Sequence, residues 1–467
     1  MFSELEELKG QKILVMGAAR SGISASKLLL QVGAIVTLTD IKPESDLDPS
    51  IKDLKNESNF TLHSGGHYES DFSVNKIIVI SPGIPSDHKM IIQAKIYGAK
   101  IISELELAYH FYSGKLFGIT GTNGKTTTAT LTGEILKASD TITSMVAGNI
   151  GYPLTTAVLE NPDTNIIVTE ISSFQLENIE DFSVNAGVVL NIDADHMDRY
   201  KSIEEYAKVK SLIFNKQEED DWRIINSDDN FSSMFRTSSP GNLIEFSVKQ
   251  KLEKGIYLRE KDIIISLPLF NLNNFKFLNT TELKLKGLHN IENIMPSIAF
   301  GLIAGVDIET IHRVITGFSG LPHRIEFIDE INGVRFYNDS KATNVSAVLR
   351  AIEMFKEEKL ILILGGSDKN LDFTPLIESV KNNVKSLILI GETAPKLRAI
   401  FDGVKEFEIA GSLEETVKNA YKNASPGGIV LLSPACASFD WFNNYKDRGE
   451  QFKKEVELLK KRLEDDE

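Results

Sequence analysis

Short apolar runs, each bounded by glycine, proline or polar residues, recur along the chain and are mostly followed by stretches with helical spacing. Lys12–Met16 reads as a buried strand, residues 17–22 turn it into a helix running through 28–30, and residues 35–39 form a second strand ending at Asp40. Runs at 76–80, 166–169, 186–190, 334–337, 360–364, 386–390 and 428–432 predict further strands, each ending in a polar, Gly- or Ser-rich loop. Ile203, Tyr206, Val209, Leu212 and Ile213 recur at helical spacing and leave Lys208 and Lys210 off their stripe; most such lysines are solvated. Residues 229–282 read as strand and loop with little chemistry, 287–303 as a helix, and 453–467 as a structural, charged helix end. Strands alternating with helices predict α/β architecture with mostly parallel sheets. At 467 residues the chain is too long for one ordinary core. The pattern divides it into domains at 1–102, 103–320 and 321–467.

One stretch carries a chemistry of its own. Leu116, Phe117 and Ile119 suit a buried strand, Gly121, Thr122, Asn123 and Gly124 free the backbone to wrap oxyanions, and a helix starts from Thr126 with Thr127 behind it. Backbone N–H groups and a helix N-terminus then face phosphates. Lys125 adds a positive charge near the β and γ phosphates, and the Thr126 hydroxyl suits Mg²⁺. The loop departs from the common spacing, because Ile119 stands where its first glycine belongs.

Other candidates depend on their neighbours. Glu170 ends a strand, where a carboxylate can bind Mg²⁺ directly or through water; alone, it reads as a surface Glu. His196 follows the next strand in a charged segment that reads equally as a solvated loop. Asn293 has the amide donors and acceptor an adenine edge needs, and capping is as ready an account. The first βαβ unit, with Asp40 closing its second strand, resembles a dinucleotide fold, but Ala19 replaces the middle glycine of the fingerprint. A Rossmann-like domain without a dinucleotide is at least as good a reading.

Composition narrows the classes. A formal net charge of −15 argues against general nucleic-acid or anionic-membrane binding, and a single cysteine excludes an internal disulfide or Cys-rich metal site. No apolar run approaches the ~20 residues of a membrane helix, and no basic n-region with an apolar run opens the chain. The expectation is a cytoplasmic, monomeric enzyme that binds neither nucleic acid nor membrane.

Several separated strings together resemble the Mur ligases of peptidoglycan synthesis over essentially the full length. They are GTNGKTT at Gly121, GNIG at Gly148, EISSFQLE at Glu170, DHMDRY at Asp195, LPHRIE at Leu321, NDSKATN at Asn338 and SPACASFDWF at Ser433. The resemblance implies a Rossmann-like N-terminal domain for a uridine nucleotide, a P-loop ATPase-like central domain for ATP, and a Rossmann-like C-terminal domain for the incoming amino acid. It implies Asn293, Arg324 and Asp339 at the adenine, phosphates and ribose of ATP, and Thr126, Glu170, His196 and Lys210 at Mg²⁺, with Lys210 carbamylated by CO₂. Ser21, Asp40, Ile41, Lys42, Gly83, Asn149, Ser172 and Gln175 match nucleotide-substrate positions, although Ile41 and Lys42 depart from the family's residue types. Thr343, Lys369, Ser438, Phe439 and Tyr445 match the D-glutamate pocket, Tyr445 replacing a phenylalanine. The Asp-Asn-Pro-Arg string of the ligase that adds a diamino acid is absent. Implied partners are therefore UDP-N-acetylmuramoyl-L-alanine and D-glutamate, with a different amino acid as the alternative. A nicotinamide dehydrogenase or a non-catalytic nucleotide-binding regulator leaves most of these strings without a role.

Overall fold

The computed structural model describes residues 8–465 other than 150, 198, 286, 369 and 370. It contains three sheets, and the chain divides into two compact units, Met1–Phe318 and Ser319–Glu467. The first unit holds two sheets and the second unit one.

The first sheet is built from β1 (Lys12–Met16), β2 (Ile35–Asp40), β3 (Phe60–Ser64), β4 (Ile77–Ile80) and β5 (Lys100–Ser103). Its order is β3-β2-β1-β4-β5, all parallel. Strand order reverses at β1, so the loops after β1 and β4 splay to opposite sides and leave a crevice at the carboxyl edge. The sequence pattern misses both edge strands. β3 is only half-buried, so its side chains show no apolar run.

Nine strands make the second sheet: β6 (Lys115–Thr120), β7 (Ser144–Gly148), β8 (Ile166–Glu170), β9 (Ala186–Val189), β10 (Trp222–Asn226), β11 (Asn242–Ser247), β12 (Gly255–Arg259), β13 (Asp262–Leu267) and β14 (Leu272–Asn279). They run in the order β14-β13-β12-β11-β10-β9-β6-β8-β7, with β6 lying parallel between β8 and β9. Only the β12-β13-β14 end is antiparallel. The same reversal therefore occurs at β6. Side chains alternate across it: Phe117 and Ile119 enter one buried cluster with the helices Lys125–Lys137 and Leu288–Ile303, while Leu116 enters another with Leu154–Glu160.

The second unit orders its strands β15 (Glu326–Ile331), β16 (Val334–Asn338), β20 (Ile429–Leu432), β17 (Leu360–Gly365), β18 (Val384–Ile390) and β19 (Phe407–Ala410). β15 is the antiparallel member, joined to β16 by Asn332 and Gly333, both at positive φ (48° and 78°). That is the two-residue hairpin geometry an Asn-Gly pair favours. The pattern of apolar runs does not reveal this hairpin, although its turn signal is present.

Phe300 is fully buried on the helix Leu288–Ile303 and stacks on Phe117 of β6, with ring centroids 5.2 Å apart. The pair welds that helix to the sheet that carries the glycine loop after β6. Phe300→Ala is expected to destabilise the first unit by about 3–5 kcal/mol, measured as a lowered midpoint of the corresponding denaturant transition; an unchanged midpoint would contradict this packing role.

Candidate functional site

The β6 exit is organised by its glycines. Gly121 and Gly124 lie at positive φ (145° and 84°), and Gly124 is the N-cap of the helix Lys125–Lys137. A Cβ on Gly124 would stand 2.0 Å from Asn293 Oδ1, so only glycine lets the Asn293 amide press against the loop. The loop is pinned to the β9 exit as well: Thr122 N donates to Asn191 O (2.9 Å), Asn123 N to Asn191 Oδ1 (2.8 Å), and Asn123 Nδ2 to Asp193 Oδ2 (2.9 Å). Thr128 Oγ1 donates to Asn293 O (3.3 Å), which ties the helix that starts at Lys125 to the one carrying Asn293. Thr127 is buried, and Thr126 keeps partial exposure.

Two amines converge on one carbonyl here. Lys125 Nζ donates to Gly121 O and Thr122 O, both at 2.8 Å, and Lys210 Nζ donates to Gly121 O at 3.0 Å and to Thr120 Oγ1 at 3.4 Å. Lys210 is 1% exposed. This corrects its expected solvated position off the apolar stripe. In the helix Ile203–Ser211 the buried face is Tyr206, Ala207 and Lys210, while Ile203 and Val209 are only partly covered. Tyr206 and Lys210 are four residues apart on one face, and the amine lies 4.5 Å from the Tyr206 ring centroid. Burial, then the neighbouring Lys125 charge, hold the Lys210 amine well below the usual lysine range, against the opposing pull of Asp195 and Glu170.

Glu170 ends β8, is buried, and accepts from Asn149 Nδ2 through Oε1 (3.1 Å). Among the described residues its Oε2 is buried without a partner. A buried carboxylate oxygen left unpaired is costly, and a hard cation is the partner its chemistry suits. The hydroxyl at Thr126 and the imidazole at His196 are compatible donors. His196 lies at φ 55°, half-exposed, with its ring 4.7 Å from that of Phe174. The residues thus fit a magnesium ion. Among the described residues, the one cluster whose ligand atoms already converge is instead Glu106, His110 and Asp181. There Glu106 accepts the N–H groups of residues 180, 181 and 182 as well as meeting His110 at 3.0 Å, so it is a knot that holds the 180–182 turn.

The remaining candidates of the first unit end or follow β1, β2, β4 and β8. Asp40 accepts from Ala18 N (2.7 Å) and Lys42 N (2.9 Å), and Gly83 and Ile41 are exposed. Ser21 is partly buried at the start of the helix Arg20–Gln31. Ser172 and Gln175 form a capping box at the helix Ser173–Leu176, a local role that already occupies Gln175 Oε1.

In the second unit, the loops after β16, β17 and β20 gather at one edge of the sheet, since β20 lies parallel between β16 and β17. Asp339 is buried and accepts from Ser433 Oγ (2.8 Å) and Ile325 N (3.3 Å); desolvation pushes its carboxyl up to about 7. Arg324 is half-buried beside His323, which is itself buried at φ 64°. Ser438 is buried, Phe439 is 70% exposed, Thr343 is half-buried, and Lys369 lies outside the described residues. Tyr445 O accepts from Ser340 Oγ (2.7 Å).

Sequence pattern does not reveal Arg448. Its guanidinium is fully buried and donates to Ser340 Oγ, Ser340 O, Ala437 O and Cys436 O at 2.8–3.1 Å, binding the β16 and β20 loops together. Nor does it reveal Asp229, which accepts from Ile192 N (2.8 Å) at the β9 exit. Arg448 carries no local signal, and the turn Asp229 makes with Phe231 N (2.8 Å) gives no sign of its hold on Ile192, 37 residues away.

A glycine loop at the reversal point of a parallel sheet, a buried carboxylate beside it and a third sheet with its own loop cluster define an α/β enzyme of several domains. Residues 11–103 match the Mur ligase MurD-like N-terminal domain, 119–301 the Mur ligase middle domain, and 323–436 the Mur ligase glutamate ligase domain. The chain belongs to the Mur ligase family. It is 41% identical over 453 residues to the UDP-N-acetylmuramoylalanine–D-glutamate ligase of Geotalea uraniireducens, covering 97% of this chain and 98% of that one. With the enzyme of the same name from Clostridioides difficile it shares 39% over 459 residues, 97% of this chain and 100% of the other. Among solved structures, a pseudomurein peptide ligase type C from Methanothermus fervidus (TM-score 0.55, 20% identity, 97% and 100% coverage) and MurF ligase from Thermotoga maritima in complex with ADP (0.54, 16%, 98% and 97%) share the fold. Among the described residues no helix is long and apolar enough to cross a membrane.

The raised Asp339 carboxyl has a stability consequence. Because its folded pKa lies above the unfolded value near 3.8, its protonated form favours the folded state below that value, and this contribution is lost as pH rises toward about 7. Asp339→Asn is expected to flatten the fall in melting temperature of the second unit between pH 4 and 7; calorimetry that finds equal pH slopes in both proteins would rule it out.

Proposed function

We propose that the chain is an ATP-dependent amide ligase that joins D-glutamate to UDP-N-acetylmuramoyl-L-alanine in peptidoglycan precursor synthesis. Full-length relatedness to ligases of that name supports the reading. The geometric observation that carries it is the β6 loop, with Lys125 and Lys210 on the Gly121 carbonyl and the unpaired Glu170 oxygen on the neighbouring strand. In this reading residues 1–102 bind the uridine nucleotide, 103–320 bind ATP, and 321–467 bind D-glutamate.

The reaction needs activation because a carboxylate is a poor electrophile. Its oxygen attacks the γ-phosphorus of ATP, ADP leaves, and an acyl phosphate forms. The D-glutamate amine then attacks the acyl carbon, loses a proton, and expels phosphate as the amide forms. Catalysis of such steps is mainly positioning and charge stabilisation. Gly124, Thr126 and Thr127 offer backbone N–H groups at the helix start and Thr126 its hydroxyl to phosphate, Gly121 supplies the turn, Thr122 and Asn123 hold the loop on the β9 exit through their bonds to Asn191, and Lys125 turns its ammonium from the Gly121 and Thr122 carbonyls toward the γ-phosphoryl group. Asn293 reads adenine, with Arg324 and Asp339 assigned to phosphate and ribose. Ser21, Asp40, Ile41, Lys42, Gly83, Asn149, Ser172 and Gln175 serve the nucleotide substrate. Thr343, Lys369, Ser438, Phe439 and Tyr445 serve D-glutamate.

Thr126, Glu170, His196 and a carbamylated Lys210 would hold Mg²⁺. Such an ion supplies positive charge against the phosphoryl oxygens. Carbamylation requires a neutral amine, and the burial of Lys210 beside Lys125 favours that form. The nitrogen attacks CO₂ and loses a proton, so a cation becomes an anionic oxygen donor. Lys210→Ala is expected to lose activity by about 10²-fold or more and to recover part of it with acetate, whereas Lys210→Arg stays inactive; a fully active Lys210→Arg enzyme would eliminate the carbamate.

The function as a whole is tested by ADP release with UDP-N-acetylmuramoyl-L-alanine, ATP, Mg²⁺ and a panel of amino acids. Release dependent on both the nucleotide-peptide and D-glutamate is expected, with D-glutamine rejected because removing one charge leaves a binding cation unpaired. Preference for another amino acid would point to a family member of different specificity, and release indifferent to both substrates would refute the ligase.

A further inference from the structure

Two of the separated strings contribute residues to which the proposed reaction gives no role. Glu177 closes EISSFQLE, and Arg199 lies inside DHMDRY. They meet in the fold. Arg199 NH2 contacts Glu177 Oε2 at 2.5 Å, and both side chains are mostly buried. The same carboxylate accepts from Ser86 Oγ at Oε2 (2.8 Å) and from Tyr200 OH at Oε1 (2.7 Å), while Asn178 Nδ2 donates to Ser86 Oγ (2.9 Å). Ser86 belongs to the segment that leaves β4. The carboxylate of the second sheet therefore clasps a loop of the first.

The guanidinium reaches that loop directly. Arg199 NH2 donates to Ile84 O at 3.3 Å, and NH1 lies 3.5 Å from Pro82 O, so the backbone on either side of Gly83 is held. Its other face lies against Phe174, 4.3 Å from the ring centroid. Phe174 in turn packs on the His196 ring at 4.7 Å and stacks on Tyr200 at 6.3 Å. One planar cation thus has donors on the loop around Gly83 and a stacked ring that supports His196. An ammonium, a compact point donor, does not spread donors over Pro82 O, Ile84 O and Glu177 in one plane while lying flat on the Phe174 ring.

We propose that Arg199 is a positioning residue that holds the loop of residues 82–86 and the His196 ring in one arrangement, coupling the seat of the nucleotide substrate to the phosphoryl-transfer side of the site. The substrate half of this inference rests on the ligase reading above; the link between the loops rests on geometry alone. Glu177 anchors the guanidinium, and its second oxygen, held by Tyr200, fixes the direction of that anchor. Loss of the guanidinium frees the Pro82 and Ile84 carbonyls and removes the cover from Phe174, so both loops loosen together while Asn293 and the β6 loop stay as they are.

The test compares the wild-type enzyme with Arg199→Lys and Arg199→Gly, the latter with and without added guanidinium ion. Hydrogen exchange at the backbone amides of residues 83, 84, 86, 196, 197, 199 and 200 is expected to accelerate in both variants. The KM for UDP-N-acetylmuramoyl-L-alanine is expected to rise about tenfold or more, the scale of a lost charge-assisted hydrogen bond, with kcat lowered and the KM for ATP within about twofold. Guanidinium ion is expected to restore part of the Arg199→Gly loss. Unchanged exchange in folded variants, or an equal rise in every KM, overturns the proposal. A wild-type protein inert toward these substrates refutes the ligase reading only, and the exchange comparison then still decides whether Arg199 links the loops.

Discussion

Two lysine amines directed at one backbone carbonyl set the terms for the centre of this protein. Lys125 and Lys210 both donate to Gly121 O, at 2.8 and 3.0 Å, within a loop whose glycines alone permit the turn. Two ammonium ions so close repel one another, and Lys210 has no water to soften the repulsion. Burial and the Lys125 charge together lower the pKa of the more enclosed amine, Lys210, well below the usual lysine range, while Lys125 stays on the Gly121 and Thr122 carbonyls. An anion arriving at the loop, or an anionic group formed at Lys210, satisfies the arrangement better than the protein does by itself. The unpaired Glu170 oxygen belongs to the same unfinished electrostatics.

Topology explains why these groups meet. β6 lies between β8 and β9, all parallel, so the Gly121–Gly124 loop, Glu170 and the segment leading to His196 leave the sheet at one edge. The first and third sheets repeat the device. In the first, β1 lies between β2 and β4 and gathers the turn after Met16, Asp40 and the loop around Gly83. In the third, β20 between β16 and β17 gathers Asp339, the segment after Gly365 and Ser438. All three sheets therefore share one geometric solution, loops gathered at the carboxyl ends of parallel strands where the strand order reverses.

The supporting residues share a different logic. Arg448, Asp229 and Arg199 bind backbone or loop groups from segments distant in sequence, and each is a charged side chain placed where charge must be compensated by several hydrogen bonds. Such residues keep loops in place without touching a reacting atom. Removing one leaves several polar groups unpaired at once.

By itself the amino-acid sequence determined the central strands of the first and third sheets, β6, β8 and β9 of the second, the strand, glycine loop and helix around Lys125, and the family, because buried parallel strands are continuous apolar runs; β10, in the middle of the second sheet, escaped it because the buried Arg223 interrupts its apolar run. Edge strands such as β3 and β19 escaped it, being short and half-polar, and the β15–β16 hairpin was overlooked despite its Asn-Gly turn. Lys210 was legible as a candidate but not as a buried one: helical spacing marks apolar positions, and only the packing of Tyr206 and the β6 loop around the amine decided that a charged residue type would be enclosed. The pairing of Asn149 with Glu170, the capping box at Ser172 and Gln175, and the clasp of Glu177 and Arg199 on the Ser86 segment were likewise decided in three dimensions. The physical reason is the same in each case. A hydrogen bond or a desolvation cost depends on which atoms lie within a few ångströms, and for most of these groups the deciding neighbours come from another part of the chain.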